Sequence, residues 1–156
     1  MGAWFRWLKE IYEGRKILGQ TTERATEALI ADTHDIFTIT GGRILVTQIL
    51  GQVTAAVVTA SSIRLIATPT AGTLRNMCAN LLVNTYAIGD LLGITGVNTD
   101  AMIPPASSAT VEGQTFGVLV QIGAIRLICD VAGATAGIRW TLKWIPFDSG
   151  AAVAAA

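Results

Sequence analysis

The clearest pattern in the chain is a strict alternation near its end. In the run Ile138-Arg139-Trp140-Thr141-Leu142-Lys143-Trp144-Ile145, one face holds Ile138, Trp140, Leu142 and Trp144. The other face holds Arg139, Thr141, Lys143 and Ile145. A period of two marks a half-buried strand, and the two tryptophans then belong to the core. Ile36–Thr40 predicts a second, compact strand closed by a Gly41-Gly42 turn. Arg43–Thr54 predicts a long strand rich in β-branched side chains, with Gly51 marking a bulge or bend. Further β-type runs cover residues 62–68, ended by Pro69, then 78–86, 91–95, 116–122, 124–131 and 138–147. Many short strands with Gly-rich turns between them predict an all-β sandwich or barrel.

The N-terminal residues follow a different period. Trp4, Leu8, Ile11 and Tyr12 fall at i, i+4, i+7 and i+8, with Phe5 and Trp7 widening the stripe. Arg6, Lys9, Glu10 and Glu13 lie mostly on the other side, and Gly14 is a stop signal. The spacing predicts an amphipathic helix over about residues 2–13. So short a helix is marginal alone in water and needs a surface to dock on. Trp4, Phe5, Trp7, Leu8, Ile11 and Tyr12 are therefore the candidate contact residues, because large aromatic anchors dominate interface energies. A membrane surface fits less well, since helices that lie on membranes carry a richer Lys/Arg face.

Residues 15–34 fit either a Thr-capped helix or an extended arm feeding a strand; Thr21, Thr22 and Thr26 weaken the helix. Gly96–Gln114, with Pro104-Pro105, predicts a long loop of the kind that often carries function. The Ala-rich tail, residues 151–156, carries no periodic signal; it fits a segment that is disordered or runs along a neighbouring subunit. The expected organisation is an arm at 1–34, a β-sandwich body at 35–150 and the tail at 151–156.

Charge supports that division. Only 14% of the 156 residues are charged, against about 25% in an ordinary soluble domain. Residues 1–35 hold 5 basic and 6 acidic side chains, whereas residues 36–156 hold 6 and 5. A body so poor in charge implies apolar surface buried against other chains. The net charge is zero, which argues against nucleic acid, whose binding needs an excess of Lys and Arg. Arg6, Lys9 and Glu10 break the opening apolar run, so no signal peptide is expected, and no uninterrupted apolar stretch reaches membrane-spanning length.

Catalytic chemistry is hard to assemble from these residues. His34, between Asp32 and Asp35, is the sole histidine and fits a polar junction better than a general base. Neither GxSxG nor a P-loop occurs. The body's carboxylates sit in turn-like contexts such as Gly89-Asp90 and Asp148-Ser149-Gly150, and no cluster among them marks a metal site. Cys78 and Cys129 lie in apolar runs without CxxC spacing and read as buried free thiols. No enzyme, cofactor or metal is expected.

The body resembles a group of small structural proteins of tailed bacteriophages. The resemblance rests on Asp35–Thr47, Ile49–Thr54, Pro69-Thr70-Ala71-Gly72-Thr73, Cys78-Ala79-Asn80 and the closing Ile138–Ala151, and spans roughly residues 33–153. Its similarity to small capsid decoration proteins implies a jelly-roll homotrimer that cements the shell by binding the major capsid protein. The virion, assembled in a host cytoplasm, is then its location. A head-fibre, tail or baseplate module is the alternative within the same class. A carbohydrate-binding β-sandwich is the alternative from another class, and would need an exposed aromatic platform or paired carboxylates.

Overall fold

The computed structural model describes Gly14, residues 19–132 and residues 136–156. The helix expected at 2–13, with Trp4, Phe5, Trp7, Leu8, Ile11 and Tyr12, lies outside the described residues. The body is all-β. Its strands are β1 (Gln20–Ala28), β2 (Thr33–Thr40), β3 (Ile44–Ala55), β4 (Ser61–Pro69), β5 (Arg75–Asn76) and β6 (Leu81–Val83). They continue with β7 (Leu91–Gly93), β8 (Val118–Val120), β9 (Gly123–Cys129), β10 (Gly137–Pro146) and β11 (Ala152–Ala155).

Two antiparallel sheets result. One has the order β1-β10-β3-β7, with β8 also on β3; the other has the order β11-β2-β9-β4-β5, with β6 also on β4. The inner faces share one core, which includes Phe37, Ile39, Ile44, Ile49, Leu65, Ile125, Leu127, Trp140 and Leu142. The alternation expected at residues 138–145 is realised: Ile138, Trp140, Leu142 and Trp144 are buried. In β2 a bulge between Asp35 and Phe37 lets the consecutive Ile36 and Phe37 both enter the core.

Three segments take structure that their sequence did not settle. Residues 20–28, open between helix and arm, form β1, which pairs with β10 along its length. The first sheet therefore begins at Gln20, ahead of the expected body boundary at residue 35. The Ala-rich tail forms β11 on β2. Loop 96–114 folds back on the sandwich: Ile103 and Gly93 exchange backbone hydrogen bonds of 2.9 and 2.7 Å, Leu91 N donates to Ser108 O, and the Tyr86 hydroxyl donates to Pro104 O.

Gly51 is not at a bulge. The register between β3 and β10 runs unbroken through the Gly51–Trp140 pair and shifts only near the strand ends. Its role is to leave room: a Cβ at Gly51 would lie 2.9 Å from Trp140 Cζ3 and 3.1 Å from Ile138 Cγ2. Both neighbours are fully buried and cannot swing away. Gly51→Ala is therefore expected to cost about 1–3 kcal/mol by overpacking, read as a lower urea midpoint.

Candidate binding groove

β1 and β11, an edge of each sheet, approach one another on one side of the sandwich. On the opposite side the sheet edges are β8 and β5, and a groove opens between them. Its volume is about 480 Å³, and its lining includes Ala67, Arg75, Met77, Val97, Val118 and Leu119. A smaller hollow of about 130 Å³ adjoins it past Pro69 and Gln121, sharing Ala67, Arg75 and Leu119.

Local chemistry fixes the groove walls. Arg75 faces Ala67 in the β4–β5 pairing, and Met77 N donates to Leu65 O, so the 75–77 segment is pinned to the second sheet. The other wall is the turn at 95–100. Thr95 Oγ1 donates to Asp100 Oδ2 (2.8 Å) and accepts from Val97 N (3.2 Å). Thr115 N and Phe116 N both donate to Thr95 O at 3.0 Å, which ties this turn to the start of β8. Gly96 has φ +92, and a Cβ there would meet Phe116 O at 2.1 Å, so the walls can approach this closely only at glycine.

The groove is flanked along the chain by exposed apolar side chains. Leu119 lines it and is exposed, as are Leu74, Phe116 and Ile122, each the chain neighbour of a lining residue. Exposed Phe147 lies at the same end of the sandwich, beside the Gly41-Gly42 turn. Among the described residues, the other five large exposed apolar side chains are Ile30, Val58, Leu82, Ile88 and Val131. They gather at the opposite end, around the starts of β4 and β10 and the Val57–Tyr86 bridge.

The body's arginines are mostly engaged. Arg126 pairs with Asp35, Arg64 donates to Asn80, and Arg139 donates to Gln52. Arg75 has no ion-pair partner among the described residues. A bidentate pair joins two turns: Asp148 Oδ2 accepts from Arg43 N (2.9 Å) and Nε (2.8 Å), and Oδ1 accepts from Nη2 (2.8 Å). The guanidinium also stacks 4.8 Å from the centre of the Phe147 ring. This clamp sets the turn that returns the chain to β2 as β11.

Hydrogen bonds from Arg43 hold the Asp148 carboxyl down at about 2. A group depressed in the folded state stabilises above its unfolded value, near 3.8, and that contribution disappears as pH falls through about 2. Asp148→Asn is therefore expected to melt below the wild type at pH 7, by a modest amount because the pair is partly exposed. The gap should close between pH 4 and pH 2. Thermal melts of both proteins across that range check it.

Other polar groups have structural surroundings. His34 lies 3.6 Å from Glu27 of β1, and Glu27 also pairs with Arg24, so the three polar side chains meet where β1 and β2 come together. Buried Ser61 donates to Val131 O (2.8 Å) and contacts Cys129 Sγ. Cys78 and Cys129 are both buried and free. Among the described residues, no three His, Cys, Asp or Glu side chains converge as metal ligands, and no helix is long and apolar enough to cross a membrane.

Sequence reasoning flagged loop 96–114, and its first residues do line the groove. It did not single out Arg75, Asn76 or Leu119. Their one sequence signal, a leucine before an isolated arginine, is weak. No family model, curated protein or solved structure matches this chain.

Proposed function

We propose that this protein is a non-catalytic structural component of a tailed-bacteriophage virion. It is a capsid decoration or cement subunit that binds the major capsid protein as a homotrimer. The observation that carries the reading is the placement of exposed large apolar side chains. They gather at the two ends of a body whose charge is otherwise sparse. Such patches suit contacts with other chains.

The strand orders support a jelly roll as the fold. Counting β5 with β6 and β7 with β8, and setting β11 aside, the body has eight strand positions. One sheet then carries the first, eighth, third and sixth, and the other the second, seventh, fourth and fifth. That alternation is two nested Greek keys, an architecture used by viral capsid proteins. The amphipathic helix expected at 2–13 serves as the arm for inter-subunit or shell anchoring. Decoration acts passively: each trimer that binds only the assembled shell stabilises it by mass action, and three identical sites add avidity.

Quantitative mass spectrometry of purified particles tests the role. Hundreds of copies per particle are expected. A few copies would move the protein to a fibre, tail or baseplate, and its absence from particles would overturn the proposal.

A further inference from the structure

We infer that the groove between β5 and β8 receives the N-terminal segment, residues 4–12, of a neighbouring copy of this chain. The inference rests on the homo-oligomeric reading above and specifies its contact.

The register shows where the segment starts. Gln20 pairs with Trp144, Trp144 with Val46, and Val46 with Val118. These residues form one row across the first sheet, three inter-strand steps or about 14 Å wide. The N-terminal segment therefore leaves from the edge of the sheet opposite the groove, at the same end of the sandwich. A donor on one edge and an acceptor on the other form a head-to-tail contact, which closes into a ring when the rotation between copies permits.

The chemistry of segment and groove is complementary. Trp4, Leu8 and Ile11 fall at i, i+4 and i+7, the anchor spacing of a helix laid into an apolar groove. A trough of about 480 Å³ holds anchor side chains, not a whole helix, which is about 10–12 Å across. Exposed Leu119 in the groove lining, with exposed Leu74, Phe116 and Ile122 next to lining residues in the chain, adds apolar surface for the rest of the stripe. Arg75 at the groove, without an ion-pair partner among the described residues, can meet Glu10 on a polar face that also carries Arg6 and Lys9.

Disulfide trapping in the full-length protein tests this. Leu8→Cys chains are co-expressed with Leu119→Cys chains and mildly oxidised. Leu119 is exposed, so its replacement spares the core. The native thiols compete little: both are buried, and burial pushes Cys78 up to about 11, leaving little reactive thiolate. The control pairs Leu8→Cys with Leu82→Cys, exposed at the opposite end. A disulfide joining the two introduced thiols across chains should form at least about tenfold faster than in the control, because docking raises the local thiol concentration. In a further sample whose chains each carry both substitutions, a link formed only within one chain, with none between the co-expressed single variants, would overturn the inference in favour of a segment folded onto its own groove. A rate equal to the control would overturn it outright. Light scattering on the same samples keeps the two levels apart. A trimer without the link refutes only the groove contact, and a monomer refutes the oligomer as well.

Discussion

Replacing Trp140 with alanine is expected to remove about 3–5 kcal/mol of stability, the largest loss from any single truncation in the body. Trp140 is 0% exposed and sits at the centre of β10, the strand that joins β1 to β3. Its ring lies over Gly51, which has no side chain to help fill the hole. The stability of a domain of this size is about 5–15 kcal/mol, so the loss is a large share of the total. Trp140→Phe is expected to lose about half as much or less. It leaves a smaller void and removes an indole N–H that is buried without a hydrogen-bond partner among the described residues. Trp144 behaves differently, since its Nε1 donates to Thr22 Oγ1 of β1 at 3.0 Å. Urea denaturation of the two Trp140 variants separates the cavity cost from the polar cost.

Gly123→Ala is the second large effect, at about 3 kcal/mol. Gly123 has φ +148, and an added Cβ would lie 2.2 Å from Thr68 O, 2.7 Å from Pro69 Cα and 2.9 Å from Thr70 N. All three are backbone atoms, so no side chain can yield. Gly123 pairs with Ile39 on one side and Pro69 on the other. Relief therefore requires parting β9 from β4 at the groove end of the second sheet. Gly113→Ala is the matched control, because a Cβ there meets nothing within 4 Å. It should stay within about 0.5 kcal/mol of wild type. Urea midpoints of the two variants against wild type check both values.

Much of the body was legible because burial there follows a period of two. β10, β3 and β9 are long, face the core with alternate side chains, and are enriched in Ile, Leu and Val. The period is visible wherever one face is dry and the other wet. β1 was illegible for the opposite reason. Gln20-Thr21-Thr22-Glu23-Arg24 has no apolar face, and the strand exists because β10 offers it a hydrogen-bonding edge. β11 is alanine-rich and lacks amphipathic contrast; the Arg43–Asp148 clamp, a contact between residues 105 apart, supplies the turn that returns it to β2. The bulge reading of Gly51 fails because a lone glycine in a strand looks the same whether it marks a bulge or clears space for a ring.

The groove could not be read locally. Its walls come from residues near 67, 75–77, 96–98 and 117–119, segments that meet only after both sheets have formed. The candidate contact residues Trp4, Phe5, Trp7, Leu8, Ile11 and Tyr12 remain a sequence expectation. The exposed apolar ends of the body supply a structural reason to expect a partner for them.

The solution mass of the purified full-length protein, by size exclusion with light scattering, tests the central claim most directly. A homotrimer of 16.4 kDa chains, about 49 kDa, is the expected result. A stable 16.4 kDa monomer at working concentration would contradict the account, because the apolar ends of the body would then face water with no sister chain to cover them.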